Sequence, residues 1–151
     1  MLRESLSAAL KEAVKAKQER RVSTLRLILA ALKDRDIMAR GQGNEIGIDE
    51  SEILSMLQSM IKQRRESIAM YEKGCRMELA EQEADEIAII EDFLPKQLDD
   101  AEIEAAVKAA LEEAGASTIK DMGKVMGLLR ERHAGCMDFS KAGAKVKQAL
   151  A

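Results

Sequence analysis

The sequence predicts an all-α protein, and three observations carry that reading. Alanine, leucine, lysine and glutamate dominate the chain, and all are good helix formers. Apolar residues recur with helical spacing, and no alternating run of β-branched residues is long enough for a strand. Proline occurs once in 151 residues, at Pro95. Proline lacks an amide hydrogen, clashes with the preceding helical turn and pushes the residue before it toward extended backbone. Pro95 therefore divides the chain into a four-helix module, residues 1–95, and a small three-helix module, residues 96–151. It marks a joint and a hinge candidate between them.

The elements follow in order. Leu6, Ala9, Leu10, Ala13 and Val14 form the apolar stripe of a first helix. Val22, Leu25, Ile28, Leu29 and Leu32 do the same for a second helix, running to about Arg40. Gly41, Gly43, Asn44 and Gly47 then mark a flexible connection. Asp49 with Glu52 three residues on is a capping pair that opens a third helix to Lys73, where Gly74 can end it. A fourth helix runs from about Met77 to Leu94. Asp99 with Glu102 starts the fifth, and Gly115 stops it. The sixth starts near Ser117 or Thr118 and ends before Gly135, and the seventh starts near Asp138.

Aromatic residues make up only 2% of a chain that is 46% apolar, so the core must be built from Leu, Ile, Met and Ala. No apolar stretch approaches the roughly 20 residues that span a bilayer, and a signal peptide's unbroken apolar segment is missing at the start. Membrane contact is not expected. Cys75 and Cys136 are isolated thiols without a CxxC pair, and His133 is the sole histidine. That usage predicts a reducing cytoplasm and no metal site. Neither thiol has a nearby base, and His133 reads as a surface or cap residue near a helix end. No phosphate-binding glycine loop is present. No catalytic residue and no cofactor are therefore predicted.

Charge is segregated rather than large. The net charge is −3, yet residues 78–92 hold seven carboxylates and no Lys or Arg. From Gly115 onward seven Lys or Arg face Asp121, Glu131 and Asp138. Solvated faces, acidic helices docked on basic ones, a protein-binding adaptor surface and a phosphate-binding tail are all compatible with that pattern.

Two helices carry the candidate functional residues. In the third, Arg64 falls on the apolar face of Ile53, Leu57, Met60, Ile61, Ile68 and Tyr71. A guanidinium there needs partners, so Arg64 is the candidate for a structural ion pair with Glu83 or Glu91 of the fourth helix. In the sixth, Ile119, Met122, Val125, Met126 and Leu129 share the apolar face, and Lys120, Gly123, Lys124, Gly127 and Arg130 the other. Glycine inside a helix costs about 1 kcal/mol relative to alanine. Two of them beside lysines let a phosphate backbone approach, admit a neighbouring helix, or simply end a weak turn. Lys141 and Lys145 of the seventh helix extend the candidate RNA-binding set. With Tyr71, Phe93 and Phe139 as the only aromatic residues, base stacking is scarce. Any RNA would be bound by backbone and shape.

The runs Ser23-Thr24-Leu25-Arg26-Leu27-Ile28, Met60 to Ser67, Phe93-Leu94-Pro95-Lys96-Gln97-Leu98 and Lys120 to Met126 resemble the YqeY family over essentially the whole chain. That family is similar to the C-terminal tail of the B subunit of the glutamine-dependent aspartyl/glutamyl-tRNA amidotransferase, a helical domain followed by a three-helix domain. The resemblance implies a tRNA-handling module without the enzyme's catalytic parts. It implies tRNA or tRNA-like RNA, amidotransferase subunits or other proteins as partners. The label of carbon-nitrogen ligase with glutamine as amido donor would be inherited from the full enzyme. The tail's tRNA contacts map onto Lys120, Gly123, Lys124 and Arg130.

Overall fold

The computed structural model describes residues 1–151 as seven α-helices and one 3-10 turn, an all-α chain. It divides into two compact units, Met1–Leu94 and Pro95–Ala151, each with its own apolar core.

In the first unit, α1 (Leu2–Lys15) and α2 (Glu19–Gly41) form one helical hairpin, and α3 (Glu50–Lys73) and α4 (Met77–Glu91) a second. Leu6, Leu25, Ile28, Ile53, Met56, Leu57 and Ile90 are fully buried between them. Aliphatic and methionine side chains supply this core, and Phe93 only packs at its edge. The capping pair at α3 is reciprocal: Glu52 N–H donates to Asp49 Oδ1 at 2.8 Å, and Asp49 N–H to Glu52 Oε2 at 2.9 Å. At the end of α3 the left-handed residue is Cys75 (φ 56°) rather than Gly74 (φ −85°).

The α2–α3 connection is not a slack linker. Arg3 donates to both carboxylate oxygens of Asp36 at 2.6 and 2.7 Å and to the Ile48 carbonyl at 2.7 Å. Ile48 N–H returns a bond to Asp36 Oδ1 at 3.0 Å. Asn44 closes the turn, accepting from Ile46 and Gly47 N–H and donating to the Gly47 carbonyl. Gly47 has φ +98°, and a Cβ there would lie 2.5 Å from Asp36 Oδ1. Glycine is required at that position.

The α4 helix stops at Glu91, short of the expected Leu94. Phe93 and Leu94 make i−3 turns, on the Ile90 and Glu91 carbonyls, because the residue before Pro95 is excluded from helical backbone.

The second unit contains α5 (Asp100–Ala114), a 3-10 turn (Ile119–Asp121), α6 (Met122–Arg132) and α7 (Phe139–Leu150). Ile103, Val107, Ala110, Val125, Leu129, Met137, Ala142 and Val146 form its core. Asp99 and Glu102 cap α5 reciprocally, and Gly115 ends it in left-handed backbone at φ 59°. Residues 97–98 latch onto the α6–α7 loop. Leu98 N–H donates to the Cys136 carbonyl at 2.8 Å, and Gln97 Nε2 to the Gly135 carbonyl at 2.7 Å. That latch presents Met137, fully buried in a loop, to the core.

Candidate nucleic-acid interface

The sequence places α6 on the core through Val125, Met126 and Leu129, which leaves Gly123, Lys124, Gly127 and Arg130 exposed on the other side. The expected start near Ser117 or Thr118 is a 3-10 turn instead. Asp121 Oδ2 accepts from Ser117 and Thr118 N–H at 3.0 and 3.1 Å and so sets the tighter winding. Those backbone donors, more than the nearby Lys124, hold the Asp121 carboxyl below the usual carboxylate range. Lys120 lies in that turn and is exposed, and Ile119, expected on the apolar face, is half exposed.

The two α6 glycines face open space. A Cβ added at Gly123 or Gly127 would meet no heavy atom within 4 Å. Neither makes room for a neighbouring helix. Gly143 of α7 does face a neighbouring helix, and a Cβ there would make ordinary contact with the Met122 and Met126 methyl groups at 3.8 and 3.9 Å.

The lysines are less uniform than their spacing suggests. Lys124 Nζ donates to the Ala114 carbonyl at 3.4 Å, at the C-terminus of α5. Lys141 pairs with Asp100 at 3.3 Å, at the other end of the same helix. Fourteen residues of rise separate those ends, about 21 Å. Lys124 and Lys141 therefore do not form one compact patch. Lys145 is half-buried, Arg130 is exposed, and Arg132 is engaged by Glu113.

In the first unit, Arg64 Nε donates to Glu86 Oε2 at 3.0 Å, both side chains 12% exposed, with Glu83 Oε2 at 4.0 Å. Glu91 pairs with Arg65 instead, at 3.6 Å. The sequence passed over Glu86 because Glu83 and Glu91 fit the helical period as well. Burial pushes the Glu83 carboxyl up, Glu86 adds to that, and Arg64 opposes it. Two more acids of the run pair across the unit, Asp85 with Arg20 and Asp92, just past α4, with Arg21 at 2.8 Å, whereas Glu78 pairs locally with Arg76. Arg21 also lies over the Phe93 ring, 5.9 Å from its centroid. Most of the acidic run of α4 is thus spent on basic residues of α2 and α3 within the same unit.

His133 caps α6, and its carbonyl accepts from the Cys136 N–H and Sγ–H. Cys75 and Cys136 are free thiols. No three His, Cys, Asp or Glu side chains converge on one point that could hold a metal ion. No helix is long and apolar enough to cross a membrane.

A family model described as Yqey-like protein matches residues 3–150. The chain belongs to the YqeY family. Among curated YqeY relatives, the altered inheritance of mitochondria protein 41, mitochondrial, of Lachancea thermotolerans is 34% identical over 111 residues, 72% of this chain and 57% of that protein. The Kluyveromyces lactis protein of the same name is 34% identical over 89 residues, covering 59% and 46%. The Vanderwaltozyma polyspora one is 28% identical over 124 residues, covering 78% and 64%. This YqeY chain thus spans between 46% and 64% of the length of these relatives. The cytoplasmic placement expected from the thiols is overturned, because all three relatives are named as mitochondrial proteins. Unpaired thiols report reducing conditions, and more than one compartment provides them.

Proposed function

We propose that this YqeY protein is a non-catalytic module that binds folded RNA of the tRNA kind through the outward face of α6. One observation carries the reading: two helical glycines that no packing contact requires lie open on a face lined by Lys120, Lys124 and Arg130. Interior glycine costs stability, so its presence beside exposed cations is explained by close approach of a phosphate backbone. Lys141 and Lys145 on α7 serve a second stretch of backbone. Pro95 is the joint between this unit and the helical unit before it, as in the amidotransferase tail that the family resembles.

The second unit carries nine Lys or Arg and nine Asp or Glu, so attraction is local to the α6 face. Binding is accordingly weak, salt-sensitive and governed by shape. An accessory role, handing tRNA to an amidotransferase or other ligase in trans, fits the same surface.

Titration of the full chain with bulk tRNA at low and at high salt tests the reading. Each lysine that meets a phosphate contributes about one unit to the slope of log affinity against log salt. Lys120→Ala with Lys124→Ala should lower that slope by about 2 and weaken binding at low salt. Absence of binding at low salt, or indifference to Lys120→Glu with Lys124→Glu, overturns it.

A further inference from the structure

We propose that the outward face of α2 in the first unit docks an amphipathic helix of a partner protein, one whose apolar stripe is flanked by carboxylates. α2 buries Thr24, Leu25, Ile28 and Leu32 on one side. On the other it leaves Leu27, Ile37 and Met38 more than half exposed, with Ala30 between them. A surface helix normally has a single apolar stripe, and one that is apolar on both sides is covered on both.

Beside that second stripe runs a ridge of cations. Arg26, Lys33 and Arg40 are seven residues apart, so they align at intervals of about 10.5 Å along one edge of the helix. All three are exposed and none forms an ion pair. Of the other arginines in the unit, only Arg35 likewise forms no ion pair. Arg3, Arg20, Arg21, Arg64, Arg65 and Arg76 each hold a carboxylate.

Charge complementarity selects the occupant. A helix with a carboxylate every seventh residue beside an apolar stripe would match both the ridge and Leu27, Ile37 and Met38. Asp34 lies within the stripe, between Ala30 and Leu27 on the helical projection. It repels phosphate and resists insertion among anionic lipids, whereas one basic residue on a partner helix would pair with it. A second copy fits poorly. Antiparallel α2 helices related by a two-fold axis would set cation ridge beside cation ridge, and parallel ones would set Asp34 against Asp34.

The test uses the full chain and two synthetic helical peptides of about 20 residues, long enough to span the ridge. One carries an apolar stripe flanked by glutamates at heptad spacing, and the other has lysines in their place. Fluorescence anisotropy should show binding of the glutamate peptide only. Arg26→Glu with Lys33→Glu and Arg40→Glu should weaken it by at least about tenfold, and Ile37→Asp should do the same. The triple variant should in turn prefer the lysine peptide. All four positions are exposed, so helical circular dichroism should be unchanged, and Lys120→Glu with Lys124→Glu should leave peptide binding intact. No binding of the glutamate peptide, or binding indifferent to these charges, overturns the proposal. So does phosphatidylserine-vesicle or tRNA binding that the triple variant abolishes, or a wild-type dimer that Ile37→Asp dissociates.

Discussion

Arg3, Asp36 and Ile48 tie three segments of the first unit together, and nothing in their spacing announces it. The Arg3 guanidinium, with the Ile48 N–H, holds the Asp36 carboxyl down to about 2. A carboxyl lowered in the folded state stabilises the fold above its unfolded pKa of about 3.9, and that contribution disappears as pH falls through about 2. Arg3 is partly exposed, which discounts the effect to on the order of 1–2 kcal/mol. Asp36→Asn should therefore be less stable than wild type at pH 7, with the gap closing between about pH 4 and 2. Urea denaturation across that range reads it, and a gap independent of pH would refute the assignment. Gly47 was legible as a turn residue. Its need to avoid a Cβ against Asp36 was not, because Asp36 is eleven residues away in the chain.

At the scale of the helix, α3 and α4 are joined by charge as well as by apolar packing. Periodicity put Arg64 on the buried face, and the structure supplies Glu86 as its acceptor. Arg64→Met alone should destabilise by about 3 kcal/mol, because a carboxylate stays buried without its cation. Adding Glu86→Met should recover most of the loss, and a thermal-melt double-mutant cycle without that recovery would deny the coupling. On α6, alanine at Gly123 and Gly127 enters open space. The double variant should be more stable by about 1–2 kcal/mol from helix propensity alone. If RNA backbone rests on those glycines, the same variant should lose tRNA affinity while gaining stability. Stability and affinity moving together would separate the glycines from binding. The apolar face of α6 was readable from its period. The 3-10 start was not, since it depends on the Asp121 carboxylate turning back onto Ser117 and Thr118.

At the scale of the whole molecule, two cores imply two folding units. The first is filled mainly by Leu, Ile and Met, and the second is smaller and leans on Val125, Leu129, Met137 and Val146. Small domains bury a smaller fraction of their surface, so the 95–151 unit should be the weaker. Expressed alone, residues 1–94 and residues 95–151 should each be helical and melt cooperatively, the second at the lower temperature. A 95–151 fragment without a cooperative transition would show that its core needs the rest of the chain.

What the sequence determined by itself is local: helix-forming composition, apolar period, two reciprocal capping pairs and a proline that cannot continue α4. These act within a few residues and leave their mark in spacing. Tertiary structure alone decided which carboxylate meets which cation, that Gly47 must stay bare, and that Met137 enters the core from a loop. It also decided that Lys124 and Lys141 lie at opposite ends of α5. Each of these depends on residues far apart in the chain, where one helical period admits several partners and only packing chooses among them.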